Sequence, residues 1–174
     1  EYGDVPIKHF TMGSWDGIRK IDGHAMAEAI VKGQRACLGC PIGCWRIVKV
    51  EAGPYAGVEG RGPEYETVAS FGALLLNDDI EAIAKANQIC NHYGMDTIST
   101  GVSIAFAMEC YERGIIDKKT TGGLDLRWGD ADSILRLTEM IGRREGFGDI
   151  LAEGVRRAAE RIGRGAERLS LIHI

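Results

Sequence analysis

Through most of the second half of this sequence, apolar residues recur at helical spacing. In 78–93, Ile80, Ile83, Ala84, Asn87 and Cys90 share one face, the i, i+3, i+4 pattern of an amphipathic helix. Gly94 follows where a left-handed residue closes a helix. The run DTISTGVSIAFAMECYERG (96–114) is apolar almost all the way round in its middle. That predicts a buried helix, opened by Asp96 and closed by Gly114. Ile134, Leu137 and Ile141 mark the inner face of a helix over 130–146. Ile150, Leu151, Val155 and Ala158 mark another over 148–163. A helix over 64–76 has Pro63 at its first turn, and its inner stripe reads Tyr65, Val68, Ala69, Gly72 and Leu75. Glu66 falls instead with Ser70 and Ala73, on a small-residue face.

The first half is less regular. EYGDVPIKHFTMGSWDG mixes Pro, Gly and aromatics without period and reads as an extended opening loop. Asp22 can cap a short helix running to about Lys32, with Met26, Ala29 and Ile30 on one face and Gly33 ending it. WRIVKVEA (45–52) alternates like one strand, and a turn-rich stretch follows. These patterns predict a mainly α fold: a multi-helix domain with an irregular cysteine loop and at most one or two short strands. The divisions expected are an opening loop and short helix (1–35), a cysteine loop (36–62), a helical domain (63–165) and a tail (166–174). The closing LSLIHI breaks the helical pattern and reads as a cut-off strand or a non-native junction.

Composition changes this picture little. The chain has 174 residues, 45% hydrophobic and 26% charged, with net charge −4, a normal globular mix. Basic residues are spread out except Arg156, Arg157, Arg161, Arg164 and Arg168, which read as a solvated helix face and argue against nucleic acid. No apolar run reaches membrane-spanning length. No signal-peptide pattern opens the sequence. Its five cysteines are odd in number and clustered, unlike a dispersed disulfide framework. A reducing cytoplasm is the expected setting.

Three of those cysteines do change the picture. Cys37, Cys40 and Cys44 stand in CLGCPIGC at spacing C-x2-C-x3-C. Glycines and Pro41 let the backbone turn tightly, so the sulfurs can converge on a soft metal centre. A zinc site needs four N or S ligands, usually from paired knuckles. An iron–sulfur cubane takes four cysteines, commonly three close and one distant. Both readings stay open, as does a loop without metal. The radical-SAM order, C-x3-C-x2-C, is the reverse of this one. A fourth ligand would lie outside the chain or come from Cys90 or Cys110, each otherwise a small core residue.

Two further stretches carry candidate chemistry. GPEYET (62–67) puts Glu64 and Glu66 at a helix N-terminus, where acids favour the macrodipole. Beside small residues, Glu66 can also approach a bound cofactor. CNHYGMDTISTG (90–101) turns between two helices at Gly94 and Asp96. It is a well-made connection. It is also a corner where a carboxylate meets main-chain groups, suited to a flat heterocycle with adjacent N–H donors, such as a pterin. His92 adds only a cation in a last helical turn.

Together ACLGCPIGCWR, GPEYETVASFG, CNHYGMDTISTG with AFAMECYERG, and REGFGDILAEGVRRAA resemble the aldehyde ferredoxin oxidoreductase family, the tungsten-pterin enzymes. They stand in the family's order across roughly residues 5–165. The resemblance implies the helical middle of a longer chain, with N- and C-terminal domains of the same chain missing. It implies that Cys37, Cys40 and Cys44 hold a [4Fe-4S] cluster whose fourth ligand lies in the missing C-terminal domain. Glu66 would match a glutamate beside the tungsten. Residues 91–96 would match the family's D-x-x-G-L-D/C pterin motif, with Asn91, Gly94, Met95 and Asp96 as cofactor-binding residues. Two positions depart: Asn91 replaces Asp and keeps only an amide oxygen as acceptor, and Met95 replaces Leu.

By the same resemblance, the reaction is oxidation of an aldehyde to a carboxylic acid at a tungsten (or molybdenum) bis-pterin, with ferredoxin as electron acceptor. Glu66 would be the general base. A homo-oligomer is compatible with this reading. A benzoyl-CoA reductase-type subunit of the same family is one alternative. A non-catalytic helical module holding zinc on the three thiolates is another.

Overall fold

The computed structural model describes residues 5–170. It is mainly α, with 49% of the described residues helical. A short turn bridges Ile7 to Met12, and a 3-10 turn covers Asp16–Lys20. Helix α1, Gly23–Ala29, starts at Asp22, whose carboxylate accepts from the N–H groups of His24 and Ala25 as the sequence suggests. It ends three residues sooner than expected. The chain turns at Ile30 into strand β1, Val31–Arg35, so Gly33 lies inside a strand instead of closing a helix. The β-branched Val31 favours extended pairing once a partner strand is present, and Gly33 sits where the register shifts between Val31 and Gly33. That partner is β2, Trp45–Lys49, which also pairs with β3, Glu59–Arg61. The antiparallel sheet thus has three strands in order β1-β2-β3, one more than expected. β3 escapes detection because it is three exposed residues, one of them Gly60.

Helix α2 spans Tyr65–Phe71, with Glu64 at its N-cap and Pro63 one residue before the cap. It stops at Gly72, where a Cβ would fall 2.4 Å from the Val68 carbonyl oxygen and 2.5 Å from Ile21. A 3-10 turn, Ala73–Leu75, completes what was expected as one helix. Helices α3, Ile80–Tyr93, and α4, Thr97–Glu112, match their predicted spans within a few residues. Asp79 and Asp96 cap them, and Gly94 closes α3 at φ 69°. Helix α5 is Ala131–Arg143. The expected last helix is two pieces, α6, Phe147–Leu151, and α7, Val155–Ile162. Gly154 parts them at φ 82° and ψ 164°, a conformation only glycine adopts readily.

One hydrophobic core runs from Ile21 to Ala166. Its centre is α4, where Ile104–Met108 and Cys110 have no exposed surface, as its all-round apolar pattern requires. The inner faces predicted for α3 and α5 are buried as read. That of α2 is buried in part: Ala69, Gly72 and Leu75 are buried and Val68 half-buried, but Tyr65 is exposed, and Thr67, Ser70, Phe71 and Leu74 also face inward. Hydroxyl groups go inside there because they find partners on α4. Residues 171–174, within the segment read as a strand or junction, lie outside the described residues, as do residues 1–4 of the opening loop.

Candidate active site

The cysteine loop joins β1 to β2. Cys40 N–H donates to the Cys37 carbonyl at 3.0 Å, and Gly39 and Gly43 turn the chain at φ 73° and 65°. All three thiols are free; Cys37 and Cys44 are exposed and Cys40 is half-buried. The donor set fits soft-metal ligation: three free thiols on a short loop with two glycine hinges. Among the described residues, however, no three Cys, His, Asp or Glu side chains stand gathered as a closed metal site. The convergence expected from spacing is therefore not displayed by the loop itself. Cys90 and Cys110 have no exposed surface and sit in the hydrophobic core. Burial pushes the Cys90 thiol up to about 11 and the Cys110 thiol up to about 12. Both stay protonated at neutral pH, which suits packing and not ligation.

Ionic contacts tie the loop's exit strand to the start of α2. Arg46 in β2 donates to Glu64 at 3.0 Å, and Arg61 of β3 approaches the other Glu64 oxygen at 3.6 Å. The Arg61 guanidinium lies over the Trp45 ring, 5.4 Å from its centroid. Gly62 N–H donates to the Arg46 carbonyl at 2.9 Å. A side chain at Gly62 would meet Val48 at 2.5 Å, so glycine permits this close approach. Asn87 of α3 donates to the Arg61 carbonyl at 3.0 Å and secures the same strand from behind. Sequence reasoning missed these partners; the signal available was Arg46 and Arg61 flanking an acid-rich helix start.

The N-terminal ends of α2 and α4 then meet. The Thr67 and Thr97 hydroxyls share a hydrogen bond of 2.8 Å. Ser70 packs on Gly101, where a Cβ would come within 2.7 Å of the Ser70 Cβ and 2.8 Å of its carbonyl oxygen. Glu66, beside Thr67, and Asp96, beside Thr97, thus stand at the same end of the helical bundle. Glu66 is exposed and borders an apolar cavity of about 180 Å³ between α2 and α4.

The corner after α3 is held at several points. Met95 N–H donates to the Cys90 carbonyl at 2.8 Å, and Gly94 N–H to the Asn91 carbonyl at 3.4 Å. One Asp96 oxygen accepts from Ser99 N–H at 2.7 Å, capping α4. The Gly94 and Met95 N–H groups are spent inside the turn, and the second Asp96 carboxylate oxygen has no partner among the described residues. Tyr93 lies on Gly142 of α5, where a Cβ would clash at 2.4 Å. Its hydroxyl donates to Glu139 at 2.9 Å and accepts from Arg143 at 3.1 Å. Met95 and Asp96 line a cavity of about 280 Å³ with Ser99, Ser103, Gly142 and Arg144. Arg144 is held at the rim by Asp149, at 2.9 Å, and by Glu153. Its guanidinium, with that of Arg157, holds the Glu153 carboxyl below the usual range.

The structure also contains a buried polar group that the sequence reading passed over. His9 is 2% exposed, and its Nδ1 pairs with the Glu109 carboxylate in the middle of α4. Arg113 donates to the same carboxylate at 2.8 Å. A lone Glu in the apolar run AFAMEC was the available signal, because a buried charge demands a partner.

Comparison with known proteins adds the following. The sequence profile described as aldehyde ferredoxin oxidoreductase, domains 2 and 3, matches residues 1–174. The chain is 42% identical over 164 residues to the tungsten-containing aldehyde ferredoxin oxidoreductase of Pyrococcus furiosus, across 94% of this chain and 26% of that protein. It is 39% identical over 132 residues to another Pyrococcus furiosus protein, the aliphatic sulfonate oxidoreductase, WOR-like subunit, across 76% of this chain and 21% of that protein. Among solved structures, the active-site complex BamBC of benzoyl coenzyme A reductase with 1,5-dienoyl-CoA superposes with a TM-score of 0.71 at 28% identity. That match covers 84% of this chain and 22% of the other. The chain spans about a quarter of the length of the curated relatives it matches.

Proposed function

The chain belongs to the aldehyde ferredoxin oxidoreductase family, and from that premise we propose that it forms part of an enzyme oxidising aldehydes to carboxylic acids at a tungsten–bis-pterin site, with electrons leaving through a [4Fe-4S] cluster to ferredoxin. The observation that carries the proposal is the clamp between α2 and α4, the Thr67–Thr97 hydrogen bond. It brings Glu66 and Asp96, thirty residues apart in sequence, to one end of the bundle. The tungsten in the relatives' names favours that metal over molybdenum.

In this reading each residue has a definite task. Cys37, Cys40 and Cys44 supply three thiolates to the cluster, and the fourth ligand comes from outside this stretch. Asp96 has one oxygen committed to Ser99; the other receives a ring N–H of the pterin, with Asn91 and the carbonyls of Gly94 and Met95 as further acceptors. When bound, the tungsten-pterin supplies a Lewis acid and a two-electron sink. Glu66 takes a proton from water through a carboxylate oxygen as that water adds to the aldehyde carbonyl.

The full-length protein, purified without oxygen, tests the cofactor assignment. It is expected to be brown and to contain iron, inorganic sulfide and tungsten, with iron lost from Cys37→Ser, Cys40→Ser and Cys44→Ser. Colourless protein with stoichiometric zinc overturns the assignment and favours a zinc-held helical module. The likeness to the benzoyl coenzyme A reductase complex supports a second reading, ring reduction of an aryl-CoA thioester at the same site. Aldehyde-dependent ferredoxin reduction favours the first reading; activity confined to the thioester favours the second.

A further inference from the structure

The segment before α1 carries backbone strain that needs a reason. Lys8, His9 and Phe10 lie consecutively in the left-handed region, at φ 45°, 49° and 65°, and none is glycine. Such a conformation is disfavoured for L-residues and persists only where the surroundings over-determine it. Here they do. Lys8 N–H and His9 N–H donate to the carbonyls of Ala73 and Leu74, each at 3.1 Å. His9 is buried against Glu109, and Lys8 Nζ lies 2.8 Å from Glu112 on the next turn of α4. The turn is therefore bolted to α4 from two sides.

What the strained turn achieves is the placement of Phe10. Its side chain stays 59% exposed and lines the cavity of about 180 Å³ beside Glu66. Tyr65, Leu74, Ile98 and Val102 supply most of the remaining wall, and among the described residues Glu66 is the one charged residue in the lining. An apolar cavity of about 150 Å³ is sufficient to take up benzene. An apolar pocket of ring size with a carboxylate at its edge is poorly suited to a polar ligand and well suited to a hydrocarbon group whose reacting carbon lies near that carboxylate.

We propose that this cavity receives the hydrocarbon substituent of the carbonyl substrate, ring-sized in preference to short alkyl, and that Phe10, set by the left-handed turn, is a specificity-determining residue. The inference rests on the reading of Glu66 as the proton acceptor for the water that adds to the carbonyl end.

The full-length protein carrying this segment provides the test. Phe10→Ala is expected to lower the ratio of kcat/KM for benzaldehyde over acetaldehyde by about tenfold. Phe10→Tyr restores the ratio, and Ile98→Ala, at a second exposed position, lowers it independently. A readout without turnover is binding of 4-fluorobenzyl alcohol, which has the ring but no carbonyl, to metal-free protein by fluorine NMR. Its affinity is expected to fall by about tenfold in Phe10→Ala. An unchanged ratio overturns the inference. So does failure of the unaltered protein to bind the alcohol, the result expected if another part of the longer chain fills the cavity. Glu66 is tested separately: a Glu66→Gln protein that binds the alcohol and turns over normally keeps the subsite and removes the proton role.

Discussion

Glu109→Ala is expected to lower the stability of the protein by about 3–5 kcal/mol, the range for breaking a buried ionic group by removing one partner. The carboxylate is 4% exposed and holds both His9 and Arg113. Without it His9 stays buried with neither ring nitrogen partnered, because its Nε2 already has no partner among the described residues. The left-handed turn at 8–10 then loses its inner bolt. Lys8→Ala is the contrast. Its partner Glu112 has a side chain 48% exposed, and solvent screening limits such a rim pair to about 0–1 kcal/mol. Urea unfolding of both variants checks the difference, and equal small losses would show that the buried pair anchors nothing.

In the assembled full-length enzyme, Glu66→Gln is expected to cut turnover by about 10²–10⁴-fold, the usual contribution of a positioned general base. Iron and tungsten contents are expected to stay at their unaltered values, since Glu66 is not among the proposed ligands. Glutamine keeps the shape and one acceptor oxygen but takes up no proton at working pH. Full turnover in this variant removes Glu66 from the chemistry. Glu64 does not substitute for it: both its oxygens face arginines, Arg46 at 3.0 Å and Arg61 at 3.6 Å, so it serves the tether between sheet and helix.

Which of these features could be read without coordinates follows from how local each one is. Helices α3, α4 and α5 were legible because the apolar pattern is local to each stretch, with Gly94 closing α3 and Asp96 capping α4 in agreement with it. The bundle's two breaks, at Gly72 and Gly154, were not. At the end of α2, Gly72 has no room for a side chain because Ile21, fifty residues earlier, occupies its place. The start of β1, Val31 and Lys32, was read as helix and its remainder as loop because a strand of five residues takes its identity from the strand it pairs with. The motifs of the candidate site were visible as residue types at fixed spacing. What joins them was not: Thr67 with Thr97, and Arg46 with Glu64, are contacts between distant segments with no periodic signature.

The enclosure of α4 has a consequence for how the polypeptide is made. Its neighbours include α2 and α3, translated before it, and α5, α6 and α7, translated after it. While the ribosome is still synthesising the loop after Gly114, roughly half of this apolar cylinder has nothing to lie against. A nascent chain paused there leaves that apolar face uncovered until α5–α7 arrive, and a proteolytic cut in that loop would loosen the same cover.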